Sequence, residues 1–294
     1  MTASARSTIA LVTCAEHPAL SPDDRLLAAA LERHGCRVDA VLWDDPGVRW
    51  EAYDAVVVRS TWDYHHRVEA FLGWLDLLER RHVHVFNRIA TLRWNVRKTY
   101  LRDLERAAIP VTPTVWVPMG SRTTLREAAA AIGAEALVVK PSVSASGYET
   151  WRVDRRRVAD NERRFARLLA ERDLMIQPFL ESVITHGELS LVFLAGRYSH
   201  AVRKRAKRGD FRVQEEHGGT AAREAVGPDL LRQASRALSL APDPPLYARV
   251  DGVVLDGTLV ITELELVEPM LYFGWDEQAA ERLAAGLEQL LERT

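Results

Sequence analysis

Lysine is scarce in this 294-residue chain. Of 39 lysine and arginine side chains only four are lysine: Lys98, Lys140, Lys204 and Lys207. Where arginine is used so freely, a lysine suggests a site that wants a compact point charge rather than a planar fork. Cysteine is scarcer still. Cys14 and Cys36 alone exclude a disulfide framework or a cysteine metal motif and fit a reducing cytoplasm. The net charge is only −2, so no basic field advertises a nucleic acid or an anionic membrane. No apolar run approaches the roughly 20 residues of a membrane-spanning helix. The start, MTASARSTIALVTC, lacks the charged-then-apolar pattern of a secretory signal. Nucleic acid and membrane are therefore not expected as partners, and a cytoplasmic location is.

What is present is ordinary globular material, 47% hydrophobic and 27% charged, with length enough for two packed cores. Residues 8–14, 37–43 and 55–59 read as strands, with amphipathic helices over 22–34 and 67–81 and a short apolar stretch at 83–86. Strands alternating with helices argue for a parallel α/β sheet over the first 90 residues. Helical signals follow at 89–95 and 96–107. A second sector mixes strands at 114–118, 137–140, 174–177, 189–194, 198–203, 246–255 and 259–267 with helices near 123–132, 155–171, 228–239 and 276–292. The late strand pairs, turning at Asp256-Gly257, look antiparallel. The expected class is α/β followed by α+β.

Five stretches could carry chemistry. In ALVVKPSVSASGYET, Lys140 ends an apolar strand and a loop of small residues follows, with Ser144, Ser146 and Gly147. Backbone N–H groups in such a loop can cover phosphates, although the pattern is not a P-loop and an ordinary surface loop is the plainer reading. In LMIQPFLES, Pro178 lacks an N–H, so the strand end at Gln177, Pro178 and Phe179 can offer backbone groups to an adenine edge, with Glu181 placed for ribose hydroxyls. A strand terminator with a solvated glutamate is the alternative. Asp251 on one strand and Glu263 and Glu265 on the next form the strongest group. Residues i and i+2 share a face, and carboxylates crowded on an apolar strand repel unless a cation sits between them, as Mg²⁺ would supply; a solvated sheet face is the alternative. The basic stretch 197–212 offers Arg203, at the inner end of a strand, and Arg212 to a phosphate or substrate carboxylate; alternation turns Lys204 to the opposite face. Finally Arg59, Ser60, Thr61, Trp62, Asp63 and Tyr64 lie at the carboxyl end of a strand, where α/β crevices open. They could cradle a small zwitterion or form a buried aromatic turn.

Together these stretches resemble an ATP-grasp ligase of the glutathione synthetase or D-alanine–D-alanine ligase type, over about residues 90–275. Asn95, Lys98, Leu101, Ile109, Pro110 and Pro113 follow the pattern around the family's first lysine, which lies in a helix, and Lys140 is the second. Gly187, Glu188 and Ser190 resemble the opening of the second subdomain. The resemblance implies ATP on Lys98, Lys140, Gln177 to Phe179, Glu181 and Glu188, and Mg²⁺ (two ions, with Mn²⁺ an alternative) on Asp251, Glu263 and Glu265, the last being Asn in many relatives. It makes Arg249 the oxyanion residue, with Arg203 and Arg212 as further catalytic arginines. Gly218, Gly219 and Glu268 join the 59–64 stretch as substrate residues. It also implies a division at 1–95 (N-terminal α/β), 96–185 (subdomain with the lid loop) and 186–294 (subdomain with the metal site). The lid departs from the family in having Gly147 as its one glycine. The 56–67 stretch and the 199–219 region are similar to the cyclo-ligases that close D-cycloserine from O-ureido-D-serine. The expected activity is therefore phosphorylation of a small amino-acid-like carboxylate for attack by nitrogen, within the same molecule or from a second amine. A nucleotide-binding module without catalysis is the remaining alternative, and the resemblance leaves self-association open.

Overall fold

The computed structural model describes residues 7–293. Three sheets are stacked along the chain. The first is parallel, in the order β2-β1-β3-β4, from β1 (Thr8–Thr13), β2 (Arg37–Leu42), β3 (Ala55–Ser60) and β4 (Val85–Phe86). Its central strands are apolar on both faces because helices cover both. Ile9, Leu11 and Val57 face one core, which includes Leu27 and Leu31 of α1 (Pro22–Arg33). Ala10, Val12 and Val58 face another with Phe71, Trp74 and Leu75 of α2 (Val68–Arg80). Ser21 caps α1 by accepting from the Asp24 amide, with Pro22 in the first turn where its missing N–H costs nothing.

The helical signal after β4 breaks into α3 (Ile89–Val96) and α4 (Tyr100–Arg106). Lys98 was expected inside a helix and instead sits in this break. Its amide donates to Ser142 O at 2.8 Å, which ties the break to the loop leaving the second sheet. That sheet holds β5 (Val115–Val117), β6 (Ala136–Pro141), β7 (Trp151–Asp154) and β8 (Leu174–Pro178) in the order β5-β8-β6-β7, all antiparallel. Helices α5 (Leu125–Ile132) and α6 (Val158–Leu169) pack on it through Leu125, Ala128, Phe165 and Leu168. Strand β7 was not foreseen; four residues of buried and exposed alternation are too short a signal beside an irregular loop.

One turn, α7 (Ser182–Thr185), leads into the third sheet, antiparallel in the order β11-β10-β9-β12-β13, from β9 (Glu188–Leu194), β10 (Arg197–Arg205), β11 (Thr220–Arg223), β12 (Tyr247–Leu255) and β13 (Thr258–Glu265). It is backed by α8 (Pro228–Leu238) through Ala234 and Ala237.

Two helices leave the segments expected for them. Tyr100, Leu101 and Leu104 of α4 are buried with Leu191, Val250 and Ile261 of the third sheet, so the start of 96–185 belongs to that core. The chain is held there by Ile261, which donates to Pro110 O and accepts from the Thr112 amide. At the other end α9 (Ala279–Leu291) packs back on the first sheet, Leu283 and Leu287 joining Ile9 and Leu11. Apolar area decides both placements, since each helix buries its stripe where an uncovered sheet face remains. No helix among the described residues is long and apolar enough to cross a membrane.

Candidate active site

A cleft of about 620 Å³ opens between the second and third sheets. Its charged wall is built by strand register. On β12 and β13, Arg249 stands opposite Glu265 and Asp251 opposite Glu263. On β9 and β10, Glu188 stands opposite Lys204. Directly opposed residues bring their side chains together, so alternate acids and bases form a grid. Lys204 reaches Glu188 at 2.7 Å and Asp251 at 3.0 Å. Arg249 reaches Asp251 at 2.9 Å and Glu265 at 2.7 Å. Ser190 donates to Asp251 at 2.6 Å. Lys98 enters from the helix break, bonding Glu263 at 2.8 Å and the Ser144 carbonyl at 2.7 Å.

Asp251, Glu263 and Glu265 each offer an oxygen, and these oxygens lie within 4.8 Å of one another. Burial opposes the charge on Asp251 and Glu263, but Arg249 and Lys204 hold the first well below the usual carboxylate range, and Lys98 and Lys140 depress the second. Burial wins at Glu265, pushed up to about 7 despite Arg249. Glu268 is pushed to about 8 by burial and then by Glu265. Among the described residues no side chain pairs with the Glu268 carboxylate or with the Lys140 ammonium, whose pKa burial lowers. A partly buried charge without a partner is unfavourable, so these two half-buried side chains can take a ligand's opposite charges.

The second wall comes from the second sheet: Lys140 at the end of β6, then Ser144, Ser146 and Gly147, with Gln177, Pro178 and Phe179 at the end of β8. Gln177 is fixed by donating to Thr114 Oγ1 at 2.9 Å. The Phe179 amide is taken by Ala136 O, and Leu180, which also lines the cleft, accepts from the Val183 amide. The lid loop forms without the family's glycines because Ser146 (φ 49°) and Glu149 (φ 47°) join Gly147 in the left-handed region, which costs a non-glycine residue about 1–2 kcal/mol. Anchors offset that cost. Ser146 donates to Glu216, His217 donates to Ser146 O, and the Tyr148 ring packs on His65 and His66 under the Arg172 guanidinium.

Several expected residues lie elsewhere. Arg203 pairs with Glu224 at 3.0 Å on the outer face of β10; its neighbour Lys204 takes the inner one. Glu181, at the foot of α7, is exposed and pairs with Arg152 outside the cleft. Gly218 and Gly219 do not line it either. A Cβ on Gly219 would stand 2.2 Å from Val213 O, so that glycine serves a close backbone approach. Arg212 does line the cleft, held by Asp210 at 2.8 Å. Of the 59–64 stretch only Trp62 and Tyr64 reach it. Arg59 and Ser60 are buried against Asp24, Thr61 is buried beneath, and Asp63 accepts from Trp43 and Arg67. Lys204 was not picked out from the chain as a site residue, although its scarcity was the available signal. Thr262, Met270 and Tyr272 line the cleft with no such signal.

Known proteins share this fold. The family model for the N-terminal domain of the D-cycloserine synthetase DcsG matches residues 9–87. The cycloserine biosynthesis protein DcsG of Streptomyces lavendulae is 33% identical over 301 residues, covering 97% of this chain and 99% of its own. The crystal structure of D-cycloserine synthetase DcsG superposes with a TM-score of 0.87 at 31% identity, over 97% of this chain and 100% of that one. The Bacillus anthracis D-alanine–D-alanine ligase, solved with ATP, shares the fold at 13% identity with a TM-score of 0.70 over 98% of each chain. The chain therefore belongs to the ATP-grasp ligases, in the family of the D-cycloserine synthetase DcsG, and is an ATP-dependent ligase.

Proposed function

We propose that this ligase phosphorylates the carboxylate of O-ureido-D-serine and closes the acyl phosphate to D-cycloserine. The observation that carries the chemistry is the trio Asp251, Glu263 and Glu265 facing the unpaired Lys140 across the cleft, with Arg249 between two of the acids. The substrate follows from likeness to DcsG along nearly the whole chain.

The three clustered oxygens are hard donors and fit Mg²⁺, or Mn²⁺ on the same set; we assign them two ions. A metal bound there neutralises phosphate charge during transfer. The chain's own residues do the rest. Lys98 and Lys140 hold the α- and β-phosphates, Gln177 to Phe179 border the adenine, and the serines of the lid exclude water. A substrate carboxylate oxygen attacks the γ-phosphorus as the bond to ADP breaks. The ureido nitrogen bonded to oxygen then attacks the carbonyl carbon, and phosphate leaves as the five-membered ring closes. Water cleaves the carbamoyl group from that nitrogen as carbon dioxide and ammonia, which leaves D-cycloserine. Arg249 meets the oxyanion of the ring-closing step, and donors in this role are worth roughly 3 kcal/mol. Its orientation is set beforehand by Asp251 and by donation to Met270 O at 2.9 Å.

In this reading residues 1–95 cover the substrate, 96–185 carry the nucleotide wall and lid, and 186–294 carry the charged wall, with α4 and α9 as braces between them. ATP dependence and two unpaired cysteines fit a cytoplasmic place. The test is ADP release against a panel of amino-acid carboxylates without a second amine, with the product identified by mass spectrometry. O-ureido-D-serine should release ADP and yield D-cycloserine. ADP release that requires an added amine would instead make the enzyme an intermolecular amide ligase.

A further inference from the structure

Beyond β13 the chain runs as a strap along the cleft, and six consecutive carbonyls of that strap each accept a hydrogen bond from a different side chain. Leu266 O is taken by Asn87 and Val267 O by Tyr247. Trp62 donates to Glu268 O at 2.9 Å and Arg59 to Pro269 O at 2.7 Å. Arg249 donates to Met270 O and His200 to Leu271 O. Asp23 accepts the amides of Leu271 and Phe273 at 2.9 and 2.7 Å. The donors come from both the first and the third sheets. An irregular segment held this completely has few ways to relax, and the side chains it turns into the cleft are Glu268, Met270 and Tyr272.

The charges in the cleft sharpen the point. Glu188, Asp251, Glu263 and Glu265 each have a cationic partner, while Asp23 and Glu216, which also line the cleft, accept from the strap's amides and from Ser146. Glu268, three residues past Glu265, has no such partner among the described residues. The substrate carboxylate must lie beside Arg249, which itself touches the strap at Met270 O. An α-amino acid carries its ammonium one carbon from that carboxylate, and Glu268 is the cleft carboxylate with neither an ion pair nor a hydrogen bond among the described residues to meet it.

We propose that Glu268 receives the α-ammonium of the substrate and restricts the enzyme to α-amino carboxylates, with Arg59 and Trp62 as positioning residues that hold the strap in register. The inference rests on the proposed function and names how its substrate class is selected.

The test is calorimetric titration of the ADP-loaded protein with O-ureido-D-serine and with 3-(ureidooxy)propanoate, the same carboxylate without the ammonium. Glu268→Gln should weaken the amino ligand about ten- to a hundredfold, the range for one lost hydrogen bond to a charge. It should leave the desamino ligand and ADP within about twofold. Glu268→Asp should retain part of the discrimination. Trp62→Phe, which removes the donor to Glu268 O and part of the ring packed on His17, should show the same pattern to a smaller degree. Equal losses for both ligands, or no loss, would overturn the role of Glu268 while leaving the ligase reading intact. Failure of the parent protein to bind either ligand would overturn the substrate reading itself, and this inference with it.

Discussion

The two walls of the cleft are built on opposite plans. The charged wall stands on paired strands of one sheet, and its acids are neutralised within the protein, Asp251 by both Lys204 and Arg249. The nucleotide wall is strand ends and a loop with left-handed residues, and its main charge, Lys140, has no partner among the described residues. Lys140 itself stands in the paired strand β6, opposite Met175, so both walls set their charge into a sheet and differ in whether the protein supplies its partner. Preorganised dipoles and charges lower a barrier without reorganising as the reaction proceeds, and mobile loops admit and cover the ligand.

Substitutions should separate the walls. The largest effect belongs to Glu263→Gln and Glu265→Gln, which should each lower turnover by roughly a thousandfold, because metal charge placement is worth several kcal/mol. ADP binding, measured by calorimetry, should persist, since the proposed adenine border lies on the other wall. Near-normal turnover at saturating Mg²⁺ would reduce these carboxylates to a solvated face.

Arg249→Ala should come next, affecting both catalysis and folding. It leaves Asp251 with Lys204 as its one cation, and breaking a buried pair costs about 3–5 kcal/mol. Urea denaturation should show that loss. Rapid-quench kinetics should show ring closure slowed more than phosphoryl transfer, by roughly a hundredfold or more.

Lys140→Ala should do the reverse of Arg249→Ala. Its ammonium pairs with no side chain among the described residues and its burial is unfavourable, so Tm without nucleotide should move by less than about 2 °C. KM for ATP should rise roughly tenfold or more, as a lost charge-assisted contact to phosphate implies. A large drop in Tm with unchanged ATP affinity would move Lys140 to the structural side.

The smallest effect lies away from both walls, where α1 meets α9. His34 bonds Glu288 at 3.0 Å and Glu281 at 3.1 Å, and Glu288 above all raises its pKa above 6.5. A raised basic group stabilises the fold fully below its unfolded value and loses that contribution as pH rises through the folded value. Tm should therefore fall from pH 6 to 8 by more in the parent than in His34→Gln. The difference should stay below about 1 kcal/mol because the pair is half-exposed and screened.

The charged wall was legible in the chain because parity on a strand is local. Glu263 and Glu265 share a face whatever the fold, and Asp251 follows from the turn between β12 and β13. The same parity put Arg203 and Lys204 on opposite faces of β10. It could not say which face looks into the cleft, because that depends on how two sheets meet. The 59–64 stretch misled for a related reason. Its polar residues looked like a ligand cradle, but Arg59 and Trp62 bond to carbonyls more than 200 positions away in the chain, and no local pattern announces such partners. Strand β7 and the helix break at Lys98 were lost in short, irregular segments fixed by tertiary bonds.

A substrate carboxylate should become an acyl phosphate between these walls. The most direct measurement uses O-ureido-D-serine carrying oxygen-18 in its carboxylate, with mass analysis of the inorganic phosphate. If phosphate first joins a carboxylate oxygen and the carbonyl C–O bond later breaks, one labelled oxygen should appear in phosphate for each D-cycloserine formed. Phosphate free of label, with ADP and D-cycloserine produced in step, would contradict it.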